Sequence, residues 1–150
     1  MDVEQAIRDY LPDILHMSLA TSVDNKPWVC EVHFVYDDDL NLYFRSLPSR
    51  RHSQEIAQNR AVAGNIVTQH GPGEKPRGLY FEGTAAVLNG VILDSPVFKL
   101  FSNRLNTSSE ALTDALTEEG PKFYKITVSD WYVFDAREST PSQKYHWSPK

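Results

Sequence analysis

The stretch Arg45-Ser46-Leu47-Pro48-Ser49-Arg50-Arg51-His52 gathers three arginines, two serine hydroxyls and an imidazole within eight residues. It follows a strand-like alternation and opens a predicted helix at Ser53-Gln54-Glu55-Ile56-Ala57-Gln58-Asn59. A helix start normally attracts Asp or Glu, because its unpaired N–H groups and the macrodipole make that end positive. Cations massed there repel one another unless an anion joins them. Helix N-termini bind phosphate, and arginine forks with the hydroxyls of Ser46 and Ser49 would complete such a pocket. The chemistry this predicts is retention of a phosphorylated ligand.

Other reactive residue types are sparse. Glu31 and His33 share a strand face, a spacing open to acid–base work, to ligand contact or to a structural pair at the sheet surface. The single Cys30 rules out an internal disulfide framework or a multi-cysteine metal site and reads as a small buried hydrophobe. His16, His33, His52, His70 and His146 show no ligand pair on one helix, so no metal is expected. No G-x-S-x-G elbow supports a serine nucleophile. Asp37-Asp38-Asp39 reads as a solvated turn. Trp131, Tyr132 and Trp147 could stack on a planar ligand, or pack in a core or dimer contact.

The elements that must position these residues begin with an N-terminal helix. Asp2 and Gln5 have capping-box character, Val3, Ile7, Tyr10, Leu11, Ile14 and Leu15 recur at helical spacing, and Pro12 either interrupts that helix or restarts it, which leaves its end open. The period then shortens to two. Strands are expected over 17–23, over 28–36 with Trp28, Cys30, Val32, Phe34 and Tyr36 on one face, and over 40–45. Short turns at 24–27 and 37–39 make these three a meander whose end delivers the arginine cluster. Further strands are expected over 61–69, over 78–88 with a bend at Gly83, over 123–136, and as a short seventh over 143–147. Ser95 and Pro96 start one helix, and Ser108 or Ser109 starts another that Gly120-Pro121 ends. A parallel sheet would need a crossover helix after nearly every strand, so the expected fold is mainly β with peripheral helices: a six- to seven-stranded antiparallel barrel in a single domain, 1–150.

The totals agree. The 150 residues are 41% hydrophobic and 23% charged, with a formal net charge of −5, which argues against a general nucleic-acid binder. Against an acidic background, three clustered arginines are a targeted anion site. No basic start with an apolar follow-on and no run of membrane-spanning length is visible, so the expectation is a cytoplasmic protein with no membrane partner.

Taken in order, Met17-Ser18-Leu19-Ala20-Thr21, Pro27 to Phe34, Leu42 to Arg51, Asn59-Arg60-Ala61-Val62-Ala63 and Leu79 to Val87 around Gly83 resemble the pyridoxamine 5′-phosphate oxidase-like family of FMN-binding split barrels. The resemblance is good over 14–88 and weak elsewhere. It implies that Ser49, Arg50 and Arg51 hold the FMN phosphate with Arg45 and Ser46 beside it. It also implies that Val29, Cys30, Glu31, Val32 and His33 lie along the flavin ring, largely through backbone groups. Family members are usually homodimers with flavin at the interface, where Gln69, Gly78 and Trp147 would complete the site. The expected role is a flavin-dependent oxidoreductase acting on a small molecule, and no catalytic acid or base is identified. The longer true oxidases carry a C-terminal Arg-x-His, of which Lys144-Tyr145-His146-Trp147 is the only echo, with a point charge in place of a fork. Two alternatives keep the fold: a deazaflavin coenzyme on the same phosphate site, or a non-enzymatic flavin or haem carrier or sensor.

Overall fold

The computed structural model describes residues 1–139 and 141–150. Helix α1 (Val3–Tyr10) starts where the Asp2 carboxylate accepts the Gln5 N–H at 3.1 Å, and it buries Ile7 and Tyr10. Pro12 falls in a 3-10 turn, Leu11–Asp13, that ends the helical segment as its missing N–H requires. Strands β1 (His16–Val23) and β2 (Lys26–His33) then pair in register from His16 opposite His33 to Val23 opposite Lys26. Their two-residue connection, Asp24-Asn25, has both φ values positive, 52° and 63°, as a tight hairpin turn demands.

The expected strand over 28–36 does not run through. The chain leaves β2 after His33 for a two-residue strand, β3 (Val35–Tyr36), and Phe34 and Val35 at the junction are both fully buried, one on each face. Leu40 occupies the turn at φ 63°, and β4 begins at Leu42 and ends at Ser46. The end of the expected second strand, β3, pairs with β4 as the meander requires, but β2 itself does not, and the other edge of β4 lies along a later strand, β7 (Lys122–Asp135). The remaining elements are α2 (Arg51–Gln58), β5 (Ala61–Val67), β6 (Arg77–Leu88), α3 (Pro96–Leu105), α4 (Glu110–Leu116), β7 (Lys122–Asp135) and β8 (Lys144–Trp147). Helix α4 ends at Leu116, ahead of the expected Gly120-Pro121, with Thr117 as its C-cap.

Every ladder is antiparallel, in the order β2-β1-β5-β6-β7-β4-β3, with β8 on β7. One edge of β7 lies along β6. The other is shared, with β4 on residues 122–126 and β8 on 131–134. A register shift between Glu82 and Gly83 supplies the expected bulge, and a Cβ at Gly83 would overlap the Thr127 carbonyl. The eight strands thus curl into a split antiparallel barrel with four peripheral helices. The main core fills the curl with Leu19, Phe44, Phe81, Ile126 and Trp131 and takes Ile7 and Leu11 from the N-terminal segment. A second cluster, Val35, Tyr43, Phe98, Phe101, Ala111 and Phe123, seats α3 and α4 on the outside of β3, β4 and β7. Phe34 and Val35 belong to different clusters, and the ladder partner changes there from β1 at His33 to β4 at Val35.

Candidate functional site

Strand β2 and the end of β4 approach one another across the split, and a cleft of about 1000 Å³ opens between them. The start of α2 and the last turn of α3 close its ends. Helix α2 has Arg50 at its N-cap, no side-chain capping bond and no acidic residue in its first turn. Its orphan N–H groups therefore keep their positive end unanswered by the chain itself.

Five cation-bearing or polar residues from the sequence cluster line this end of the cleft: Arg45, Ser46, Arg50, Arg51 and His52. Arg45 lies over the Phe123 ring at 5.5 Å, and its Nε is buried without a partner. That burial lowers its pKa from the ordinary arginine value, and Asp114 opposes the shift. The Ser46 hydroxyl is 2.7 Å from Nε2 of His52, whose ring is buried beside Phe44. Burial, then the Arg50 charge, lower the His52 pKa and favour its neutral form. Arg51 donates through Nε to Oε2 of Glu55 at 2.9 Å and sits over the Trp28 indole at 4.3 Å. Glu55 also accepts from the Thr21 hydroxyl at 2.8 Å. Its carboxyl pKa is held below the ordinary value, first by Arg51 and then by Thr21.

Along the other wall, Cys30, Glu31, Val32 and His33 of β2 border the cleft. The Cys30 thiol is pushed up to about 11 by burial and by Glu31, so it stays protonated at neutral pH. Glu31 is engaged from β1: it accepts from Ser18 and pairs with Nδ1 of His16 at 2.8 Å. The His33 ring meets His16 edge-on, with centroids 6.4 Å apart. At the far end Arg104 of α3 donates to the carbonyls of Leu11 at 2.9 Å, Phe34 at 3.3 Å and Ile14, with its guanidinium over Phe34 and Tyr36. It ties α3 to the strand break and leaves the anion work to the opposite end.

The other sequence candidates lie outside this lining. Ser49 sits in the turn before α2, and Val29, 60% exposed, is not part of the lining. Gln69 borders a shallow depression with Leu15 and His16, Gly78 is paired with Phe134 in β6–β7, and Trp147 stands opposite Trp131 on β8. His146 next to it is held by Asp130 at 2.7 Å. Trp28, Thr21, Glu55, His16 and Arg104 were not identified from sequence. Only Glu55 left a signal there, four positions after Arg51 in a predicted helix. Among the described residues no cluster of three or more His, Cys, Asp or Glu could hold a metal ion, and no helix is long and apolar enough to cross a membrane.

No family model and no curated protein matches the chain. Solved structures do. A haem-binding protein from Mycobacterium smegmatis superposes with TM-score 0.72 at 12% identity, covering 95% of this chain and 56% of its own. A Listeria innocua protein named provisionally as a pyridoxamine 5′-phosphate oxidase gives 0.65 at 19%, covering 88% and 98%. An FAD-binding protein from Mesorhizobium loti gives 0.63 at 21%, covering 91% and 95%. The fold is the split barrel of the pyridoxamine 5′-phosphate oxidase-like proteins.

Proposed function

We propose that the cleft binds flavin mononucleotide, with the phosphate at the start of α2 and the ring along β2, and that the chain serves as a flavin-dependent oxidoreductase for a small molecule. The observation that carries this reading is the convergence of Arg45, Arg50 and Arg51 on an uncapped helix N-terminus at one end of a cleft of ligand size. The buried, unpartnered Nε of Arg45 fits an anion, since a buried donor without an acceptor is costly.

A bound flavin would supply hydride or electron transfer. The chain's own residues would anchor, orient and shield it. Arg50 and Arg51 offer guanidinium donors, the first-turn N–H groups of α2 offer backbone donors, and Arg45 adds charge from the second side. Among the described residues strand β2 has only β1 as a ladder partner, so its outer edge keeps backbone N–H and C=O groups for a heterocycle's polar rim. Trp28 and the half-buried Val32 supply apolar cover against water.

A second reading rests on His33, whose imidazole borders the cleft and could ligate a haem iron. A deazaflavin coenzyme would use the same phosphate anchor. The visible spectrum of the purified protein separates these: a flavin spectrum bleached by dithionite supports the primary reading, and a Soret band the haem one. Changing Arg50 and Arg51 together to Ala is expected to weaken FMN binding at least about a hundredfold, as loss of two charge-assisted contacts predicts, with the barrel still folded by circular dichroism. Undiminished FMN affinity in that variant refutes the phosphate assignment.

A further inference from the structure

Glu55 is a carboxylate built into a site that collects cations for an anion. It is only 8% exposed and lies one helical turn beyond Arg51. On charge alone it weakens any anion held nearby. Its geometry carries a different consequence. Oε1 accepts from Thr21 on β1 at 2.8 Å, while Oε2 accepts from Nε of Arg51 at 2.9 Å, so two elements fix the carboxylate. The Trp28 indole on β2 supports the guanidinium face at 4.3 Å. Gripped by its Nε edge and its face, Arg51 keeps both terminal nitrogens for a ligand. Those are the pair that makes parallel bonds to two oxygens of one phosphate.

We infer that Glu55, Thr21 and Trp28 are positioning residues that set the Arg51 guanidinium so that its terminal nitrogens fork onto the phosphate of a phosphomonoester. The inference rests on the phosphate reading of the cleft given above. It takes the sign opposite to charge alone: removing the Glu55 side chain weakens phosphate recognition even though it removes a negative charge.

Titration of FMN and of riboflavin, which lacks the phosphate, reads the effect as the FMN-over-riboflavin affinity ratio. Glu55→Ala is expected to lower that ratio about tenfold, the worth of one misaligned charge-assisted bond. Glu55→Gln, whose amide oxygen can accept from Arg51 while its NH₂ donates to Thr21, is expected to stay within about twofold of wild type. Arg51→Lys keeps the charge without the fork and is expected to fall as Glu55→Ala does. A ratio unchanged or raised in Glu55→Ala overturns the inference. Should that variant fail to fold, Thr21→Val is read in its place, a fall of about threefold supporting the clamp and no change overturning it.

A wild type with no preference for FMN defeats the flavin reading by itself. Inorganic phosphate, followed by tryptophan fluorescence, then decides the clamp. Weaker phosphate binding in Glu55→Ala than in wild type supports it. Equal or tighter binding, or none by wild type, overturns it.

Discussion

A buried imidazole beside guanidinium groups is under two pressures of the same sign. Burial and the Arg50 charge both disfavour protonation of His52, so its folded-state pKa lies below the ordinary 6.5. An unfolded chain takes the proton first as pH falls. The stability tied to neutral His52 is therefore whole above about 6.5 and is lost as the pH drops from there towards the lower folded value. Thermal melts between pH 7.5 and 5 should show a fall in Tm that His52→Gln, which keeps a partner for Ser46, reduces. Equal acid sensitivity in both proteins would sink this account. The residues around His52 were legible in sequence because they are contiguous. Thr21, 34 positions from Glu55, and Arg104, 70 positions from Phe34, were not, since only the folded chain brings them to their partners.

Elements were legible where the cause was local. The Asp24-Asn25 turn, the cap at Asp2 and the bend at Gly83 each follow from backbone preferences within a few residues, and Pro12 marks a disturbance there without saying whether the helix stops or restarts. Strand partners do not, because pairing depends on which faces are buried in the finished sheet. Hence the hairpin of β4 with the end of the expected 28–36 strand is legible, since β3 supplies it, whereas the longer pairing of β4 with β7 and the change of partner at Phe34 are not. Gly64 in β5 shows a similar gap: its backbone passes so close to β1 that a Cβ would overlap the Ser18 carbonyl and the Phe81 ring. Gly64→Ala is expected to destabilise by about 3 kcal/mol, a drop of roughly 6–12 °C in Tm. Gly71→Ala, whose Cβ would come no closer than 3.4 Å to the Glu74 side chain, should change stability by less than about 0.5 kcal/mol. Matching melts for the two would remove the close-approach argument.

At the scale of the whole molecule, the outer rim of β2 is unfinished. Val29 is 60% exposed and Trp28 41%, on a strand with one ladder partner. Such an edge invites another chain. We propose that the homodimer implied by the family resemblance covers it. Size-exclusion chromatography with light scattering should give twice the 17.1 kDa chain mass, and a monomer that still retains flavin would refute a shared site. The net charge of −5 makes the arginine cluster a local exception, so capture of an anionic ligand should weaken with salt.

The β6–β7 ladder, twelve residue pairs long, is common to both walls of the barrel, whereas β2 hangs from β1 and β8 from four pairs on β7. Amide protons should reflect this: those of β6 and β7 exchange last, those of β2 and β8 early. A ligand in the cleft should then slow exchange in β2 and the first turn of α2 while the central seam stays as it was. The protein would meet its ligand with the part that opens first, and owe its persistence to the part that opens last.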